Sequence, residues 1–155
     1  MNLRESLSHD TINTLRALDP VTITSDRTVL DAVLQMQQEE SGCIIITRDD
    51  QPVGIFTERD VLAKVVAPSL DPNTPITQVM TSPPTTIRGG SSIAELIRIM
   101  HEGGFRHIPV VTDTGQLCGV ISVKRIVEYL VEHFPETVFN LPPDSVHTHL
   151  AREGA

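Results

Sequence analysis

The sequence predicts an α/β fold, α+β in its layering, made of two copies of one β-α-β-β-α unit within 155 residues. Three observations predict it. Segments recur in order at a nearly constant offset, each copy passes from helical to strand periodicity at the same places, and turn residues fall between the same elements.

The recurrence is direct. Thr28-Val-Leu-Asp-Ala-Val-Leu-Gln-Met36 lies over Ser92-Ile-Ala-Glu-Leu-Ile-Arg-Ile-Met100, and Cys43-Ile-Ile-Ile-Thr47 over His107-Ile-Pro-Val-Val111, both at an offset of 64. Val53-Gly-Ile-Phe-Thr57 lies over Cys118-Gly-Val-Ile-Ser122 at an offset of 65. The slip falls between Arg48–Gln51 and Thr112–Gln116, in a turn, where an inserted residue is tolerated.

Each element has a local reason. A short extended segment ends at a hydroxyl residue able to cap a helix, Ser25 or Thr28 in the first copy and Ser91 or Ser92 in the second. Apolar residues at Val29, Val33 and Met36, and at Ile93, Leu96, Ile97 and Met100, then give one buried helical stripe. Gly42 and Gly103-Gly104 are expected to stop these helices. Two apolar strands joined by a turn follow, then a second helix, Glu58–Val66 and Val123–His133. Pro109 falls within the strand Ile108–Val111; lacking an N–H, it is expected at an edge or at the start of the strand.

The organisation that follows is a helical lead-in over 1–17, a first repeat over 18–67, a linker over 68–78 marked by Pro68, Pro72 and Pro75, a second repeat over 79–134, and a Pro-rich tail over 135–155. The lead-in carries its helical pattern over Leu3–Leu18.

Composition narrows the function. Apolar residues at 39% support a packed core, and a net charge of −8 argues against sequence-independent nucleic-acid binding, which needs a basic footprint. Cys43 and Cys118 lie in apolar runs without CxxC spacing and read as buried thiols of a reducing compartment. Met1–Asp10 carries no apolar stretch of a signal peptide, and no segment approaches the roughly 20 apolar residues of a membrane span, so the expectation is a cytoplasmic protein without a membrane partner.

No phosphate-binding loop, nucleophile elbow or dinucleotide fingerprint is present, and the expectation is a protein that is not an enzyme. His101-Glu102 opens like a zinc-protease helix, but Phe105 stands where the second histidine is needed. His147 and His149 read as part of a polar tail, so no metal site is expected.

The strings Gly54-Ile-Phe-Thr-Glu-Arg-Asp60, Val79-Met-Thr-Ser-Pro83 and Phe105-Arg-His-Ile-Pro-Val-Val111, with their order and duplication, resemble a tandem pair of cystathionine-β-synthase-type (CBS) domains, or Bateman module, of the stand-alone bacterial type. The resemblance covers Leu18 to His133. It implies two repeats packed as a pseudo-twofold pair with two clefts, an adenosine-containing regulatory ligand such as AMP, ADP or ATP in place of any catalytic cofactor, and homodimers; what reads the ligand is left open between an effector protein, a neighbouring gene product and the Pro-rich tail. A ligand-free dimerisation scaffold acting on a partner is the alternative.

The family motif Gly-x-x-Thr/Ser-x-x-Asp is complete at Gly54, Thr57 and Asp60, with Ile55 and Arg59 between. Glycine permits close approach, the Thr57 hydroxyl sits at a helix start that favours phosphate, and Asp60 can accept from both ribose hydroxyls. The same residues read equally as an ordinary capped helix start. The resemblance places Thr81 and Thr85 at the base and Arg106 and His107 near the phosphates. The second cleft is weaker: Gly119, Ser122 and Lys124 lead to Arg125 in place of the ribose-binding Asp, and Gly42-Cys43 stands opposite in place of Arg106-His107. There Lys124 and Arg125 would hold a bare anion or face solvent.

Overall fold

A computed structural model of the chain describes residues 2–134; the tail from 135, with its Pro-rich reading and its two histidines, lies outside the described residues. Helix α1 (Leu3–His9) and a 3₁₀ turn (Ile12–Leu15) precede strand β1 (Thr22–Thr24), helix α2 (Val29–Gln38), strands β2 (Cys43–Arg48) and β3 (Gln51–Thr57), and helix α3. Helix α3 opens over Glu58–Asp60 and widens over Val61–Val66, where the Ala67 N–H reaches back five residues to the Leu62 carbonyl at 3.0 Å. After a 3₁₀ turn (Ile76–Gln78) the order recurs as β4 (Ile87–Arg88), α4 (Ile93–Gly103), β5 (His107–Val111), β6 (Leu117–Ser122) and α5 (Val123–His133). The chain is mixed α/β, with two β-α-β-β-α units.

Each unit forms its own three-stranded sheet, in the orders β1-β2-β3 and β4-β5-β6. The first pair in each is parallel and the second antiparallel. The central strand is buried on both faces, which is why Cys43-Ile-Ile-Ile46 is a continuous apolar run rather than an alternating one. Ile44 and Ile46 face the helices of the first repeat with Val29, Met36 and Phe56. Cys43 and Ile45 face the other way and meet Val120 of the second repeat, so the two sheets share a core.

The segments before each repeat are exchanged. Ile12 and Leu15 of the lead-in are buried among Ile93, Leu96, Ile108 and Ile121 of the second repeat. Ile76, in the connection between repeats, is buried in the first. Beyond each 3₁₀ turn a single residue pairs with the third strand of the opposite unit: Leu18 with Val120, and Thr81 with Ile55. The lead-in is not one helix: α1 ends at His9 with Asp10 as its cap, and the chain turns there to place Ile12 and Leu15 in a core contributed by the far repeat.

Three local expectations are corrected. Helix α2 does not stop at Gly42; Glu40 takes the left-handed turn at φ 51°, and the Ser41 N–H closes on the Met36 carbonyl at 2.9 Å. Its counterpart Gly104, at φ 68°, ends α4 the same way, so the turn is required by the fold and glycine supplies it only once. Pro109 lies in the central strand β5, not at an edge. Its counterpart Ile45 donates to the Val21 carbonyl at 2.9 Å; proline has no such donor, and β4 begins only opposite Val110. Cys118 is exposed, whereas Cys43 is buried. The pairing of β5 with β6 runs from Gly119 to Leu117 and skips Cys118, which is the extra residue of a bulge and is turned outward.

Candidate functional site

The exchange of lead segments opens a cleft of about 670 Å³ walled by both repeats. From the first repeat come Ile55 at the end of β3 and Thr57, Arg59 and Asp60 at the start of α3; from the second come Thr81, Thr85, Arg106 and His107. Eight of the nine residues predicted for the site therefore meet in one cavity.

Gly54 is the ninth, and it lies outside the lining. A β-carbon there would sit 2.2 Å from the Met80 sulfur and 2.8 Å from its Cγ, so the glycine makes room for Met80 of the exchanged segment. Its effect on the cleft is indirect, because Met80 immediately precedes Thr81. The two β-bridge bonds that hold Thr81, from the Ile55 N–H to its carbonyl and back from its N–H to the Ile55 carbonyl, measure 3.1 and 2.9 Å.

The helix start is a reciprocal cap. The Thr57 hydroxyl accepts from the Asp60 N–H at 3.2 Å, and the Asp60 carboxylate accepts from the Thr57 N–H at 3.0 Å. The other Asp60 oxygen lies 3.6 Å from the Lys64 ammonium, which also donates to the Val79 carbonyl at 2.8 Å. Capping and ligand contact are compatible here, since each carboxylate oxygen accepts more than one hydrogen bond. Across the cleft, Thr85 occupies the place that Val21 has in the first repeat. Among the described residues no backbone N–H donates to the Thr85 carbonyl, because Pro109 faces it where Ile45 faces Val21.

Charges of both signs line the cleft. Arg59 and Arg106 are exposed at the cleft and make no ion pair among the described residues. His107 is half-buried, and burial holds its pKa below the usual imidazole value; Glu58 opposes that effect and Arg106 adds to it. Burial also raises the Cys43 thiol to about 11, so it stays protonated at neutral pH.

Sequence reasoning missed Glu58, Leu62, Phe105 and the glycines at 42, 103 and 104, all of which line the cavity. Glu58 stands between Thr57 and Arg59 in the motif itself, which was the available signal. Gly42 is brought in only by the pseudo-twofold relation, which sets it against the His107 ring.

The second cleft is backed by the lead-in as the first is by the connection between repeats. A β-carbon on Gly119 would meet the Ala17 β-carbon at 2.6 Å, as Gly54 meets Met80. Ser122 caps α5 by accepting from the Arg125 N–H at 3.4 Å. Arg125 neither holds a free anion position nor faces solvent: its Nε donates to the Leu15 carbonyl at 2.5 Å, and its guanidinium lies 3.4 Å from Glu128. Lys124 is exposed. A shallower hollow of about 410 Å³, beside Arg88 and Glu95, includes none of these four residues. Among the described residues there is no cluster of three or more potential metal ligands, and no helix is long and apolar enough to cross a membrane.

Comparison with known proteins agrees with this architecture. The CBS domain family matches residues 15–67 and again 68–132. An uncharacterised protein of Methanopyrus kandleri is 30% identical over 76% of this chain and 63% of its own length. A CBS-domain-containing protein of Arabidopsis thaliana is 32% identical over 83% of this chain but only 24% of its own. The chain thus spans less than two thirds of these relatives. Among solved structures, a CBS-domain protein of Pyrobaculum aerophilum complexed with AMP superposes with a TM-score of 0.70 at 25% identity, covering 75% of this chain and 89% of that one. The duplicated unit, the exchanged lead segments and the two family matches lead to one conclusion: the chain belongs to the CBS-domain family, as a tandem pair of CBS domains.

Proposed function

We propose that this chain is a regulatory module that senses an adenine nucleotide held between its two repeats, and that it is not an enzyme. The observation that carries the proposal is the composition of the 670 Å³ cleft: Thr57 and Asp60 from one repeat face Thr85, Arg106 and His107 from the other. In this reading Asp60 accepts from the ribose hydroxyls, while the Thr57 hydroxyl, Arg59, Arg106 and His107 surround the phosphate. The Thr85 carbonyl accepts from the exocyclic amino group of adenine, a donor that guanine lacks at that position. The AMP bound by the Pyrobaculum relative supports the ligand class.

A ligand touching both repeats favours one relative orientation of them and shifts the population toward it. Only the first cleft is assigned a nucleotide. In the second, Arg125 is held by the lead-in, and Glu39 and Glu40 occupy the positions of Gly103 and Gly104. Leu62, Val66, Val123 and Val127 are large exposed apolar residues on α3 and α5, and they are the surface through which we propose that two copies pair. That same surface would serve the rival reading, a scaffold that dimerises or binds an effector without ligand. A cytoplasmic location belongs to the proposal.

The test is a thermal-shift panel of AMP, ADP, ATP, GMP, S-adenosylmethionine and NAD. A ligand at about 100 times its Kd adds roughly 2.7 kcal/mol, which raises the midpoint by roughly 5–10 °C for a chain of this size. A flat panel would leave the scaffold reading.

A further inference from the structure

The cleft contains one carboxylate that the fold does not need. The Glu58 N–H donates to the Gly42 carbonyl at 3.0 Å, and in the second repeat the Val123 N–H donates to the Arg106 carbonyl at the same 3.0 Å. The backbone role is thus filled equally well by an apolar residue. The Glu58 side chain makes no hydrogen bond or ion pair with any described residue, unlike Asp60, which is tied to the Thr57 N–H and to Lys64. It also lines the cleft. A β-carbon on Gly42 would lie 3.5 Å from the His107 ring and 3.8 Å from the Glu58 carboxyl carbon, so carboxylate and imidazole flank one point of the wall beside Arg106.

We propose that Glu58 is a specificity-determining residue that limits the charge of the nucleotide accepted, favouring a monophosphate over a triphosphate. The proposal rests on the nucleotide reading above. Arg59 and Arg106 are the cations of the cleft without an ion pair among the described residues, and two guanidinium groups match the charge of about −1.5 to −2 on one phosphate monoester. Every further phosphate brings negative charge with no further unpaired guanidinium in the cleft lining to meet it, and Glu58 stands in the wall next to His107, where that added charge would be repelled. Glu58 is exposed, and even at that screening one such repulsion is worth roughly a three- to tenfold change in affinity.

The experiment is calorimetric titration of AMP, ADP and ATP, without magnesium and at fixed low salt, into the wild-type chain, Glu58→Gln and Glu58→Asp. The proposal expects AMP to bind tightest to wild type. It expects the ratio of the ATP Kd to the AMP Kd to fall roughly three- to tenfold in Glu58→Gln and to persist in Glu58→Asp. Tighter ATP than AMP in wild type, or one common shift for all three nucleotides in Glu58→Gln, would overturn the assignment and leave the nucleotide reading standing. No binding by any of the three would remove that reading and the assignment with it.

Discussion

Ile55 and Thr81 exchange both of their backbone hydrogen bonds, at 3.1 and 2.9 Å, although they belong to opposite repeats. Val120 and Leu18 do the same at 3.0 Å in both directions. Each repeat therefore has its third strand extended by the segment that leads into the other, and the cleft lies where Thr81 emerges from this pairing. A ligand in that cleft bears on the relation between repeats, which is what a sensor needs.

The close approach of Met80 to Gly54 is the packing beneath this pairing. Gly54→Ala is expected to cost about 1–3 kcal/mol, since the new methyl overlaps the Met80 side chain. In a double-mutant cycle with Met80→Ala the two losses should fall short of additive by at least about 0.5 kcal/mol, measured by denaturant unfolding. Full additivity would show that Met80 moves aside freely.

Pro109 is expected to act through the Thr85 carbonyl. Pro109→Ile copies Ile45 and restores an N–H that can donate to Thr85, lengthening β4 and competing for the acceptor assigned to adenine by taking one of its two lone pairs and turning the carbonyl toward β5. AMP affinity should fall about two- to tenfold, the worth of one hydrogen bond, with stability unchanged or raised. An unchanged Kd would remove the Thr85 carbonyl from the site.

Arg125 is assigned to structure and not to a ligand. Arg125→Ala removes the bond to the Leu15 carbonyl and should destabilise by roughly 1.5–3 kcal/mol, as for hydrogen bonds from charged groups. AMP affinity at the first cleft should stay within about twofold. A large loss of affinity at unchanged stability would reverse the assignment.

His107 is expected to make nucleotide binding depend on pH. Burial depresses its pKa in the folded chain, so between the unfolded value near 6.5 and the folded value the unfolded chain binds more protons and stability falls as pH falls. A bound phosphate favours the imidazolium, so AMP binding takes up a proton and tightens as pH drops from 8 toward 6. His107→Gln should flatten this trend to the titration of the phosphate itself. Parallel curves for the two proteins would place His107 away from the phosphate.

How much of this was legible in the sequence follows from the range of the interactions. The helices and strands were readable because Val29/Val33/Met36 and Ile93/Leu96/Met100 repeat one periodicity, and because Thr28 and Ser92 cap as their side chains permit. The cleft was readable through the motif at Thr57 and Asp60 together with the resemblance that paired it with Arg106. What periodicity cannot report is contact across the chain. Met80 over Gly54, Arg125 on the Leu15 carbonyl and the burial of Ile12 in the second repeat all join residues far apart in sequence. Cys118 was misread because its burial was inferred from the apolar run around it, and a bulge turns that one residue outward.

The central claim is that one adenine nucleotide bridges the two repeats. Calorimetric titration of AMP into the wild-type chain, Asp60→Ala and Arg106→Ala tests it most directly, because each substitution removes a contact from a different repeat. The account predicts one AMP per chain and at least a tenfold loss of affinity in both variants. A flat titration, two equivalents per chain, or binding that ignores either substitution would contradict it.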